Sequence, residues 1–129
     1  MNIPVPKVLT TTVARYLYAI PFGIFGVMHF INGSEMAGYV PSFIPGGVFW
    51  VYLVGVALIA ACVSIIIGKY TKMACLLLAL LLIIFVLTMH LPGLIGAADD
   101  AAMAAAMSSL LKDSALAGGA LILANNYEE

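Results

Sequence analysis

The sequence predicts an all-α integral membrane four-helix bundle with a proline-rich outer loop that is interfacial or re-entrant. Three observations carry this expectation. Of the 129 residues, 64% are hydrophobic and only 9% charged, against about 25% charged in a soluble domain. The mean hydropathy is +1.16, so a water-soluble fold would expose apolar surface on a scale that soluble monomers avoid. Four segments approach the roughly 20 apolar residues that a crossing helix needs. Strands are disfavoured, because open sheet edges cannot face lipid.

The first crossing is expected at 13–31, after the threonine run Thr10-Thr11-Thr12 and before Asn32-Gly33. No small-x-small cleavage site follows it, so it reads as an uncleaved helix. The second, 48–67, is closed by Gly68-Lys69, and the third, 71–91, by Pro92-Gly93. The fourth, 101–124, is rich in alanine and is interrupted by Lys112 and Asp113. No linker or repeat divides the chain, which suits one transmembrane domain over residues 1–129.

Orientation follows from the few charges. Lys7 precedes the first helix and Arg15 lies at its start, and Lys69 and Lys72 flank the turn between the second and third. The opposite connections hold Glu35, Asp99 and Asp100 and no Lys or Arg. The positive-inside rule therefore expects both termini in the cytoplasm, including the tail Tyr127-Glu128-Glu129. A net charge of -1 with no basic stretch gives no reason to expect a nucleic-acid partner. The first outer loop, Tyr39 to Trp50, is aromatic and broken by Pro41 and Pro45, and Tyr39 and Trp50 suit headgroup-level anchors. A lid over a ligand cavity is the other reading of that loop.

Ionisable groups inside membrane helices are costly and usually face the bundle interior or a cavity. His29 and His90 lie near the outer ends of the first and third helices. Lys112 is eleven residues past Ala101 and twelve before Ala124, so it and Asp113 fall in the outer half if the first turns of that helix lie outside the hydrocarbon. The expectation is a polar cluster of His29, His90, Lys112 and Asp113 beneath the proline-rich loop, with Glu35 just above. Such a cluster suits ligand binding or proton handling. The plainer alternative is that the histidines are solvated, that Lys112 snorkels, and that Lys112 and Asp113 only stabilise the bundle. Two histidines on separate helices also match axial haem ligation, although no Cys-x-x-Cys-His attachment site is present and no metal site is expected.

Cys62 and Cys75 lack the Cys-x-x-Cys spacing of a redox pair and read as buried thiols. Gly23, Gly26, Gly55 and the run Ala117-Gly118-Gly119-Ala120 are expected to let helix backbones approach closely. Pro21 should kink the first helix.

From about Ala14 to Ala124 the chain resembles the DoxX family of small bacterial four-helix membrane proteins. The likeness rests on Ala14-Arg15, Phe25-Gly26-Val27-Met28-His29-Phe30, Val40-Pro41-Ser42-Phe43-Ile44-Pro45, the stretch Phe49 to Gly55, Phe85 to His90, and Leu110 to Leu121. The resemblance implies a bacterial inner-membrane bundle associated with redox systems. It also implies a shared polar site at the positions of His29, His90 and Lys112. Many members carry a Glu shortly after the Gly of the second helix, where this chain has Gly55 followed by Val56-Ala57-Leu58-Ile59. That departure puts in doubt any proton path using such an acid.

Two functions are expected on these grounds. The first is a subunit of a quinone-linked oxidoreductase, with a quinone headgroup at His29 or His90, Lys112 stabilising the reduced anion, and Asp113 or Glu35 passing protons. Quinone is then the expected cofactor ahead of haem, and other membrane or redox subunits the expected partners. The second is a non-catalytic accessory subunit of a larger membrane complex. Transport by four helices would need a homo-oligomer to build a path.

Overall fold

The structure is a computed structural model that describes residues 1–128; Glu129 lies outside them. Among the described residues there is no strand. The helices are α1 (Ala14–Ile31), the short α2 (Gly33–Met36), α3 (Val48–Ile67), α4 (Thr71–Phe85), α5 (Leu91–Ile95) and α6 (Asp100–Ala124). Two π-helical turns extend them: Leu9–Val13 runs into α1, and Val86–His90 joins α4 to α5. Four continuous runs are long and apolar enough to cross a membrane: Leu9–Ile31, Val48–Ile67, Thr71–Ile95 and Asp100–Ala124. The protein is a multi-pass membrane protein.

The third run does not stop at Pro92. A proline within a helix removes one hydrogen bond and crowds the carbonyl four residues earlier, here that of Thr88. The chain places the wider π turn over Val86–His90, and Pro92 then occupies the first turn of α5. Neighbouring π adjustment is a recognised way for a membrane helix to accommodate proline.

Helices α1 and α3 pack along a seam of small residues. A Cβ on Gly26 would stand 2.8 Å from the Gly55 carbonyl oxygen, and one on Gly55 would stand 3.0 Å from that of Gly26. Gly23 abuts Cys62 and Gly33 abuts the Tyr52 ring. The Tyr52 ring also stacks on Phe30 at 5.5 Å between centroids. Helices α4 and α6 form the second close pair, and α3 and α4 connect the two.

The turn between α3 and α4 is tight. Gly68 closes α3 in the left-handed region at φ 76°, its N–H donating to the Ser64 carbonyl at 3.0 Å. The Ser64 hydroxyl donates to the Lys69 carbonyl, and the buried Thr71 hydroxyl donates to the Ser64 carbonyl at 3.0 Å. Arg15 reaches this turn from α1, with a guanidinium nitrogen 3.6 Å from where a Gly68 Cβ would lie. The N-terminal end of α1 and the α3–α4 turn therefore share one end of the bundle, called the inner end after the orientation expected from the sequence.

The apolar core lies toward that end. Ala19 and Phe22 of α1, Leu58, Ala61 and Ile65 of α3, Cys75, Leu78, Ala79 and Leu82 of α4, and Ala117, Ala120 and Ala124 of α6 form one buried cluster. Cys75 is buried, Cys62 is half-buried, and no disulfide joins them. At the outer end, residues 40–47 run through turns rather than a helix. There the Trp50 indole N–H donates to the Pro45 carbonyl at 2.6 Å, and Phe43 is exposed.

Candidate functional site

The polar groups anticipated within the helices centre on one contact. His90 Nε2 lies 2.7 Å from Asp113 Oδ2, joining the α4–α5 run to α6. The two side chains are only 17% and 11% exposed. His90 stands nineteen residues from Thr71 and five from Ile95, about 28 and 8 Å at the helical rise, hence in the outer part of the run.

The π turn is what aims His90 at Asp113. The buried stripe of α4 is Cys75, Leu78, Ala79 and Leu82. In an unbroken α-helix, a residue eight positions past Leu82 would stand about 80° off that stripe, at 100° per residue. A π turn inserts one extra residue and sets back the rest of the helix by about one such step, to roughly 20° from the stripe. His90 then faces α6. Deleting one residue of this turn, for example Leu87, is expected to restore a regular helix in which the histidine stands seven positions past Leu82, still about 20° from the stripe. Cross-linking of cysteines placed at the positions of His90 and Asp113 should then survive the deletion, and its loss would show that no extra residue is accommodated there.

The surroundings of the pair are thinly packed. Between 83 and 95, and between 100 and 116, Asp113 is the only buried residue. The core has ended by this depth, so the one buried side chain in the outer portion of the α4–α6 pair is a carboxylate. With Asp113 ionised, the Nε2–H donates to it. The ring's other nitrogen, Nδ1, has no protein partner among the described residues.

The remaining candidates stand around this pair without joining it. Lys112, the neighbour of Asp113, is exposed; its ammonium lies 5.5 Å from the centre of the Phe25 ring on α1. Successive helical residues diverge by about 100°, so Asp113 turns to α4 and Lys112 to the gap between α1 and α6. His29 is one helical turn beyond Phe25, with Nδ1 2.6 Å from the Phe25 carbonyl oxygen of its own helix. As the donor there it keeps Nε2 as its open nitrogen. Glu35 is exposed on α2 beyond the end of α1. Asp99 serves as the N-cap of α6, its Oδ1 accepting the Ala102 N–H at 2.7 Å, and Asp100 occupies the first turn, where a negative charge suits the helix dipole.

Two contributors gave little sign of themselves in the sequence. Tyr18 donates its hydroxyl to the Leu116 carbonyl and lies against Gly119, linking α1 to α6 below the polar pair. A tyrosine in a membrane helix needs an acceptor for its hydroxyl, and that was the available signal. Phe25, seat of the Lys112 ammonium, gave none. Among the described residues no group of three or more His, Cys, Asp or Glu is arranged to hold a metal ion.

A family model described as Domain of unknown function (DUF8561) matches residues 18–117. The chain belongs to that family. The matched stretch runs from Tyr18 to Ala117 and so contains His29, Glu35, His90, Lys112 and Asp113. No curated protein and no solved structure matches the chain.

Proposed function

We propose that the chain is a quinone-linked, redox-associated subunit of the bacterial inner membrane, with His90 and Asp113 as its proton-handling pair. The observation that supports this reading is the buried His90–Asp113 contact at 2.7 Å, set where the helices are thinly packed and leaving Nδ1 open. In this reading both termini are cytoplasmic, the Tyr39–Trp50 loop lies at or dips into the outer interface, and the site opens toward the outer leaflet. The resemblance to the DoxX family points the same way.

A quinone supplies a couple of two electrons and two protons, and its headgroup offers only oxygens to hydrogen-bond. The residues fit such a group. Neutral His90, donating Nε2–H to Asp113, presents the Nδ1 lone pair to a hydroxyl proton. Once it takes that proton, the Asp113 carboxylate stabilises the imidazolium and holds the ring in place, as a buried carboxylate does for a catalytic histidine. Lys112 adds positive charge from the same level of α6, and Glu35 lies toward the outer surface to receive the proton. A quinol oxidised there would pass its two electrons to a redox group on a partner subunit, one proton through His90 and the second directly to water at the outer surface.

The test is quinone-dependent turnover of the complex purified gently from its native membrane. His90→Ala is expected to lower turnover about 100-fold, the usual scale for a lost general base, with helical content and partner subunits retained. His29→Ala should act more weakly, since His29 is bonded within its own helix. Unchanged turnover in His90→Ala would discard the mechanism.

A second reading, a non-catalytic accessory subunit, is favoured by the fact that His90 and Asp113 satisfy each other and tie α4–α5 to α6. It expects turnover to survive His90→Ala and the complex to fall apart when this chain is removed.

A further inference from the structure

The bundle is closed on three sides. Helix α1 packs on α3, α3 on α4 and α4 on α6, and among the described residues no fourth seam of that kind joins α6 back to α1. These two helices meet at two levels instead. In the inner half the Tyr18 hydroxyl reaches the Leu116 carbonyl and its ring lies against Gly119. Farther out, the Lys112 ammonium stands 5.5 Å from the centre of the Phe25 ring. Beyond that contact α6 is bare: from Ala101 to Ser108 every residue but Ala106 is exposed. Residues three and four positions before Lys112 share its face of the helix, and these are Ser109 and Ser108. Ser114 returns its hydroxyl to the Leu110 carbonyl at 2.7 Å, the common way for a helical serine to satisfy itself. The hydroxyls of Ser108 and Ser109 have no such partner among the described residues. On α1, Phe25 and His29 lie one turn apart on one face, and His29 keeps Nε2 open. The outer α1–α6 cleft thus has polar walls, and at its floor Lys112 adjoins Asp113, the partner of His90.

Resting on the quinone reading above, we propose that this cleft is the lateral entrance through which the quinone passes from the lipid to the His90–Asp113 pair, with the Phe25 ring seating Lys112 at its floor. A quinone is dissolved in the bilayer, so its way in is from the side. The depth agrees: Lys112 stands twelve residues past Asp100, about 18 Å at the helical rise, against about 15 Å for one leaflet of hydrocarbon. Phe25 acts as a positioning residue. Lysines near lipid swing their ammonium toward the headgroups, and the ring face instead keeps this one at the level of the pair. The carboxylates of Glu35, Asp99 and Asp100 stand at the outer end of the bundle. They repel anionic lipid headgroups and leave a neutral quinone ring unopposed. A groove between α3 and α4 is the competing path. Its upper walls, Ala57, Leu77, Leu80, Leu81 and Ile84, offer a headgroup no hydrogen bond.

A photoreactive azidoquinone with a decyl tail, irradiated on the full chain in phosphatidylcholine nanodiscs and mapped by mass spectrometry, locates the entrance. Label should fall on α1 around Phe25 and on α6 between Ser108 and Lys112, and excess unmodified ubiquinone should remove it. In the native complex, Ser109→Trp should raise the KM for quinol about tenfold with kcat little changed, the mark of obstructed binding rather than altered chemistry. Ala60→Trp, an exposed site on the α3–α4 groove, should change neither. Phe25→Leu should lower kcat, and Phe25→Tyr, which keeps the ring, should restore it. Competable label confined to the α3–α4 groove, or an unchanged KM in Ser109→Trp, would overturn the entrance while leaving quinone binding in place. No competable label anywhere, with full turnover in His90→Ala, would sink the quinone reading and the entrance with it.

Discussion

Gly26→Ala is expected to lower the unfolding midpoint sharply, whereas Gly118→Ala, the same exchange in another helix, is expected to leave it unchanged or raise it. Both remove a helix-interior glycine, which alone should gain up to about 1 kcal/mol. They differ in what the new methyl group meets. At Gly26 it would stand 2.6 Å from Ile59 Cγ1 and 2.8 Å from the Gly55 carbonyl oxygen, a backbone atom that cannot rotate aside. At Gly118 nothing lies within 4 Å. Overpacking of this kind costs about 1–3 kcal/mol, enough to reverse the sign of the propensity gain. Denaturant titration of detergent-solubilised protein, followed by circular dichroism, measures the difference. Equal shifts in the two variants would show that α1 and α3 do not meet at Gly26 and Gly55.

The second large effect is asymmetric. His90→Leu strips Asp113 of its partner and leaves a carboxylate inside the bundle, at a cost of about 3 kcal/mol on insertion-based scales. Asp113→Leu leaves an imidazole, which can be neutral and costs less. The His90→Leu variant should therefore be the less stable of the two, and adding Asp113→Leu to it should recover part of the loss. Coupling energies between polar side chains in membrane proteins average only about 0.6 kcal/mol and reach about 1.7, so the cycle should yield about 1–2 kcal/mol for a pair this well buried. Strict additivity of the two single losses would mean that the contact contributes nothing to the bundle.

The four crossings were legible because composition and length decide them before any packing does. Depth was legible too, since a fixed rise per residue converts position into height. That arithmetic put His90, Lys112 and Asp113 in the outer part of the bundle. Direction around the helix axis was not legible. It depends on an unbroken count of 100° per residue, and the π turn before Pro92 breaks that count just as the chain reaches His90. For the same reason the pairing of His90 with Asp113 rather than Lys112 could not be read in advance. The helix end at 91 moved to Ile95 because a proline placed in a first turn costs little, and the preceding turn had already absorbed its missing hydrogen bond. The small-residue seam was visible at Gly23, Gly26 and Gly55, but a side chain at Gly118 would meet no neighbour, so small size marks opportunity for close approach rather than close approach itself.

The α1–α3 seam also bears on how the molecule is made. Every glycine contact along it, Gly23 with Cys62, Gly26 with Gly55, and Gly33 with Tyr52, falls within the first 67 residues. The N-terminal helical hairpin therefore holds its own closest interface before the rest of the chain leaves the ribosome, and it needs nothing from α4 or α6 to close. The C-terminal hairpin, whose tie to the first includes the Tyr18 hydroxyl at Leu116, arrives at a partner already assembled, so the His90–Asp113 contact closes only after the first hairpin is in place.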